Sequence, residues 1–122
     1  MEYTIKQDQD IQAILVTAKG MINSGVAIKM VLAAGVELNC TNFQKCLFDL
    51  TQTELDNNQT MTGMVTFIKT FEIAGIKTSV KMAGVLPILD SHRLAFEKAA
   101  NSKGYKLKHF ETQDEALNWL CM

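Results

Sequence analysis

The sequence predicts an α/β domain built on a mixed sheet of about five strands with about four helices, in the order ββαβαβαβα. Three observations carry this. Strand-length apolar runs alternate with stretches of 3.6-residue periodicity, glycines close several of those stretches, and a capping box opens the last helix. Strands separated by helices pair in parallel through right-handed crossovers, whereas the first two are close enough in sequence to form an antiparallel hairpin.

The elements follow in order. Tyr3 to Gln7 alternates apolar and polar residues, Asp8-Gln9-Asp10 supplies turn chemistry, and Ile11 to Ala18 is a β-branched and apolar run. Gly20 is expected to end that strand. Asn23 or Ser24 can cap a first helix, in which Ala27, Met30, Val31, Ala34 and Leu38 recur at helical spacing, with Gly35 as an early stop. Lys45 to Thr51 is nearly continuous in apolar residues, as a central strand covered on both faces requires. Met61, Met64, Val65, Ile68 and Phe71 form a second helical stripe closed by Gly75.

Ile76 to Met82 alternates strictly and reads as the fourth strand, followed by a loop over Ala83 to Asp90 that holds Pro87, the only proline. A third helix near Ser91 to Lys103 turns Phe96, Ala99 and Ala100 inward and closes at Gly104. Tyr105 to Phe110 is a last strand whose Lys106 and Lys108 mark a solvent-facing edge. Thr112 and Glu115 then form the capping box of a helix bearing Ala116, Leu117, Trp119 and Leu120.

Composition bounds the function. The 122 residues are 48% hydrophobic and 20% charged with a net charge of −1, the profile of one packed domain spanning residues 1–122. No basic field exists to neutralise several phosphates, so nucleic acid is not an expected partner. No stretch approaches the roughly 20 apolar residues that span a bilayer. Cys40, Cys46 and Cys121 form no Cys-x-x-Cys pair and stand at no ligand spacing from His92 or His109, so no metal is expected. Three free thiols, buried or half-buried, suit a reducing cytoplasm. The glycine-rich cradles of nucleotide sites are absent, and no cofactor is implied.

In parallel α/β sheets the carboxyl ends of the strands face one crevice. That edge gathers Asn23 and Ser24, then Thr51, Asp56, Asn57, Asn58, Thr60 and Thr62, then His92 and Arg93, a rim rich in hydroxyl and amide groups. A catalytic set would draw on Thr60 or Thr62, His92, Asp49 or Asp56, and Arg93, but no spacing singles these out, and the expectation is a non-enzymatic protein. His109 lies on the inward alternation of the last strand and reads as a packed residue without a role. The first helix is apolar almost all round: Val26, Leu32, Ala33 and Val36 stand behind its inward stripe, with Lys29 and Glu37 its only charges. Either the loop Asn39 to Gln44 with Phe43 covers this face, or it meets a second copy in a homodimer.

The order of elements, with Lys-Cys-Leu-Phe-Asp-Leu-Thr at 45–51, Ala-Asn-Ser-Lys-Gly at 100–104 and the ending from Phe110 to Leu120, resembles the SpoIIAA-like proteins of the STAS superfamily. The best-known members are anti-sigma factor antagonists, so the resemblance implies a regulatory module with a protein partner. Their phosphorylatable serine lies in an Asp-Ser-Ser-Gly-like stretch after the central strand. Here that stretch is Leu55-Asp56-Asn57-Asn58-Gln59-Thr60: Asp56 matches, but Asn57 and Asn58 fall at or beside the serine positions. Thr60 and Thr62 are the candidate phosphoacceptors left, each also fit to cap the helix. Small relatives likened to the Sec14 or CRAL-TRIO fold imply the alternative of a carrier for an apolar, lipid-like ligand, for which Met30, Met61, Met64 and Met82 would be an adaptable lining or ordinary core filler.

Overall fold

The computed structural model describes residues 2–22, 24–55, 61–86 and 91–122. Strands β1 (Glu2–Asp8) and β2 (Ala13–Ile22) form the hairpin, followed by α1 (Ser24–Thr41), β3 (Lys45–Leu55), α2 (Met61–Ile73), β4 (Lys81–Val85), α3 (Ser91–Ser102), β5 (Lys106–Phe110) and α4 (Gln113–Leu120). The sheet order is β1-β2-β3-β4-β5, with β1 antiparallel to β2 and every other pair parallel. The expected architecture and element order hold, and β3 occupies the middle.

The hairpin turns because the Asp8 carboxylate accepts the backbone N–H groups of Asp10 and Ile11 at 3.0 and 3.3 Å, and Gln12 takes a left-handed φ of 55°. This turn consumes Ile11 and Gln12, so β2 starts at Ala13. At its other end β2 does not stop at Gly20. It runs on to Ile22, with Gly20 at φ 90°, a conformation that glycine adopts within a strand without steric cost.

Each side of the sheet has its own core. On one, Ile14, Val16 and Ala18 of β2, Cys46 and Phe48 of β3, Met82 and Leu107 meet Met30, Val31, Ala34 and Leu38 of α1, Ile68 and Phe71 of α2 and Ala100 of α3. On the other, Leu47, Ala83, Val85 and Phe110 receive Ala116 and Leu120 of α4. Alternate residues of β3 thus enter opposite cores, as its apolar run demands. Burying Leu120 completely contributes roughly 2–3 kcal/mol.

The ends of the helices are written in the sequence. The Glu115 N–H donates to Thr112 Oγ1 at 3.3 Å, and that hydroxyl donates to the Glu115 carboxylate at 3.0 Å, so the capping box closes through its side chains. At the far end of α4, Lys81 Nζ donates to the Trp119 carbonyl at 3.1 Å and lies 5.2 Å from the centre of its ring. A cation from β4 therefore serves a helix with no basic residue in its own last turn. Both α2 and α3 end in Schellman turns: Ile76 N–H to Phe71 O with Gly75 N–H to Glu72 O, and Tyr105 N–H to Ala100 O with Gly104 N–H to Asn101 O. Gly75 and Gly104 hold the left-handed position at φ 76° and 93°, and the residues after them, Ile76 and Tyr105, are buried.

Four local expectations are corrected. Residues 76–80 are not strand, despite their alternation. Ile76 is the apolar residue that completes the α2 turn, and Val80 donates its N–H to the Lys77 carbonyl, so both are buried within a connection and β4 begins only at Lys81. Ala83 to Val85, expected in a loop, are the strand itself. Gly35 does not end α1, which continues six residues further because a partner helix presses against that glycine: a Cβ there would stand 2.4 Å from the Ala74 carbonyl oxygen. The helix ends at Asn42, whose φ of 61° supplies the left-handed residue. Of the thiols expected to be buried or half-buried, only Cys46 is buried. Cys40 sits on the outer face of the last turn of α1 and Cys121 just past α4, both exposed.

Candidate functional site

The carboxyl edge of the parallel strands is uneven. Pairing of β3 with β4 stops at Asp49–Val85, whereas pairing with β2 continues through Lys19–Gln52, Gly20–Thr53, Met21–Glu54 and Ile22–Leu55. Two parallel strands therefore project beyond the rest of the sheet. The register shifts as they leave it, with Leu50 and Thr51 opposite the single residue Ala18, a β-bulge.

Side chains secure this bulge. One Asp49 carboxylate oxygen accepts the Thr51 N–H at 3.1 Å and the Thr51 hydroxyl at 2.7 Å, and the Thr53 hydroxyl donates to the Leu50 carbonyl at 2.6 Å. The segment Asp-Leu-Thr-Gln-Thr closes its own loop of hydrogen bonds, because short polar side chains satisfy backbone groups that a bulge takes out of the ladder. Beyond it, Lys19, Met21, Gln52 and Glu54 are exposed, while Ile22 is buried. The result is a ledge of mixed charge with one exposed methionine at its centre.

Of the residues expected along the rim, Thr51 is exposed and joined to Asp49. Asp49, considered as a catalytic carboxylate, is instead held in this local cap. The helices α1, α2 and α3 start at Ser24, Met61 and Ser91, each following a strand at this edge, so the positions of Ser24, Thr62 and His92 fall at the first turns of three helices. Arg93 is half-buried in the first turn of α3 and already engaged in an interaction. Asn23, Asp56, Asn57, Asn58 and Thr60 lie outside the described residues, as do the side chains of Ser24, Thr62 and His92. Sequence reading missed Lys19, Met21, Gln52 and Glu54. The Asp-x-Thr-x-Thr spacing was the available signal for them.

Under α3, His109 fills the space left by Gly84: a Cβ on that glycine would lie 2.8 Å from the His109 ring. The ring makes an edge contact with Phe96, and its Nδ1 lies 3.7 Å from the Glu97 carboxylate. Burial raises the affinity of Glu97 for its proton, opposed by the positive charge of Lys108 and by a hydrogen bond from the His109 backbone. This is the inward, packed histidine that the strand alternation predicts.

On α1 the covering loop does not reach the outer face. Phe43 packs into the core beside α1, Leu32 and Val36 stay exposed together with Ile28, and Val26 and Ala33 are half-buried. At the opposite end of the sheet from the rim, Leu38, Phe43, Gly75 and Val80 line a shallow cleft with room for about one water. Among the described residues no group of three or more His, Cys, Asp or Glu side chains could hold a metal, and no helix is long and apolar enough to cross a membrane.

No protein-family model matches the chain, and no curated protein matches it by sequence. Solved structures do. The anti-sigma factor antagonist SpoIIAA in its unphosphorylated form superposes with a TM-score of 0.55 at 8% identity, covering 98% of this chain and 97% of that one. An anti-sigma factor antagonist from Mycobacterium paratuberculosis gives 0.59 at 19% identity, covering 98% and 94%. An uncharacterised DUF3478-family protein with a SpoIIAA-like fold from Shewanella loihica gives 0.55 at 18% identity, covering 98% and 93%. With helices on both faces of a mixed sheet ordered β1 to β5, this chain adopts the SpoIIAA-like fold.

Proposed function

We propose that this chain is a non-enzymatic regulatory module that binds another protein at the carboxyl rim of its sheet. The observation that carries the reading is the SpoIIAA-like fold, matched over nearly the whole of each chain by two anti-sigma factor antagonists. The projecting β2–β3 ledge supports it, since parallel strands are ordinarily covered on both faces and this pair exposes Lys19, Met21, Gln52 and Glu54. The engagement of Asp49 by Thr51 favours binding over catalysis, because a carboxylate tied to its own backbone is poorly placed as a general base. The module works in the cytoplasm, and Thr60 or Thr62 is where phosphorylation would switch it.

The test is quantitative capture from the source cell with immobilised wild-type protein, Thr60→Glu, Thr62→Glu, Met21→Asp and a distant control, Lys103→Glu. A protein retained by wild type and by the control, but lost with Met21→Asp and with at least one threonine variant, is the expected result. Identical retention by all five proteins would remove the rim from the proposal. The alternative, a carrier of an apolar ligand, has less support: Met30 and Met82, two of the four methionines that could line a pocket, are packed in the core. A ligand mass in native mass spectrometry of freshly purified protein would favour the carrier.

A further inference from the structure

The face of α1 turned away from the sheet carries a second, independent feature. Ile28, Leu32 and Val36 are spaced by four residues and form one ridge, with 37%, 37% and 60% of their surfaces exposed. At the end of the neighbouring α2, Ile73 is 77% exposed. Isolated apolar residues on a surface need no explanation, but a ridge of three on one helix with a fourth on its neighbour is the pattern of a contact surface.

The charges of α1 indicate what covers it. The helix has only two, Lys29 and Glu37, four residues to either side of Ala33, and the ridge is likewise centred on Leu32. A surface arranged symmetrically about its midpoint, apolar positions with apolar and cation with anion, complements an antiparallel copy of itself, the requirement of an isologous two-fold contact. With the axis beside Leu32, Ile28 faces the partner's Val36 and Lys29 approaches the partner's Glu37. In a parallel pair like charges would meet instead. Glu37 is already oriented by the Gln7 side chain, whose Nε2 donates to it at 2.8 Å.

We propose that α1 pairs antiparallel with α1 of a second copy of this chain, forming a weak two-fold dimer. The available area sets its strength. An 18-residue helix is about 27 Å long and roughly 10–12 Å wide, so it offers on the order of 300 Å². A stable interface needs about 800 Å² per partner. Even with the end of α2 added, the contact is transient, with a dissociation constant between about 10 μM and 1 mM.

Sedimentation equilibrium from 10 μM to 1 mM tests this. The wild-type mass is expected to rise with concentration toward twice the 13.6 kDa of one chain. Leu32→Asp and Val36→Asp stay at the monomer mass while melting at the wild-type temperature, since both positions are exposed. Lys29→Glu and Glu37→Lys each weaken association about threefold, and the double reversal restores it. Leu32→Cys, made together with Cys40→Ser and Cys121→Ser, forms a disulfide-linked dimer under mild oxidation. In the wild type the Cys40 residues of the two copies are roughly 24 Å apart along the axis and do not cross-link. A monomer at 1 mM, association that survives Leu32→Asp, a double reversal that fails to restore it, or rapid linkage through Cys40 each overturns the proposal. So does a different protein that binds this face while the chain itself stays monomeric.

Discussion

Replacing Gly35 with alanine should destabilise the protein even though alanine is the better helix former. A methyl group at this position would lie 2.4 Å from the Ala74 carbonyl oxygen, 2.8 Å from the Ala74 Cβ and 3.1 Å from its carbonyl carbon. The nearest obstacle is backbone, so no rotamer change clears it, and α1 must move away from the end of α2 by about 1 Å to restore ordinary contact. That movement also strains the Asn39 side chain, whose Nδ2 donates to the Gly35 carbonyl at 2.9 Å and reaches those of Ala74 and Gly75 at 3.4 and 3.3 Å. Overpacking of this kind costs up to about 3 kcal/mol, and alanine regains roughly 0.5–1 kcal/mol of helix propensity. The net loss is about 2 kcal/mol, a fall in Tm of roughly 6–12 °C for a chain of this size. Urea denaturation with calorimetry measures it. Ala74→Gly should restore only part of the loss, because the obstructing oxygen remains. A Gly35→Ala protein as stable as wild type would refute the argument, since propensity alone would then govern the site.

Three further outcomes are expected. Gly84→Ala should cost about 1–2 kcal/mol against wild type and far less against His109→Ala, because the obstacle at 2.8 Å is the His109 ring; a double-mutant cycle with no coupling would show that the ring yields freely. Thr112→Ala should cost about 1 kcal/mol and Thr112→Ser much less, measured by denaturant titration with Trp119 fluorescence reporting on α4. Burial holds the Cys46 thiol protonated well above the usual thiol range. Of the three thiols only Cys40 and Cys121 should therefore react with a disulfide reagent at pH 8, Cys46 following on denaturation; three fast thiols would mean that the sheet opens readily.

Periodicity carried most of the fold because each helix has one buried face, which Met30, Val31, Ala34 and Leu38 declare without ambiguity, while β3, buried on both faces, reads as a nearly unbroken apolar run. It failed where an apolar residue was buried for another reason. Ile76 and Val80 imitate strand alternation but are anchors of a turn, and only the geometry at Gly75 separates the two cases. Gly35 and Gly20 look like breakers in sequence, yet one admits a neighbouring helix and the other keeps a strand going. The rim was legible as topology, since helices must begin where parallel strands end. The ledge was not, because its existence depends on a few hydrogen bonds around Asp49 and Thr51, which leave hydropathy unchanged.

The bulge beside Ala18 also fixes a parity. Before it, the even-numbered residues Cys46 and Phe48 of β3 enter the core beneath α1 to α3, and Leu50 packs against the same core. After it the even-numbered residues Gln52 and Glu54 are the exposed ones, while Thr53 is half-buried. The extra residue exchanges the two sides of the strand, and the change from apolar to polar at even positions coincides with that exchange. If the bulge were lost with the sequence intact, plain alternation would turn Gln52 and Glu54 toward the core, whereas deleting residue 50 or 51 removes the bulge and leaves both on the side they now occupy. The hydrogen bonds that Asp49 and Thr51 make around the bulge thus decide which side of the strand the ledge shows to solvent, and a single-residue deletion at position 50 or 51 should be accepted where one elsewhere in β3 is not.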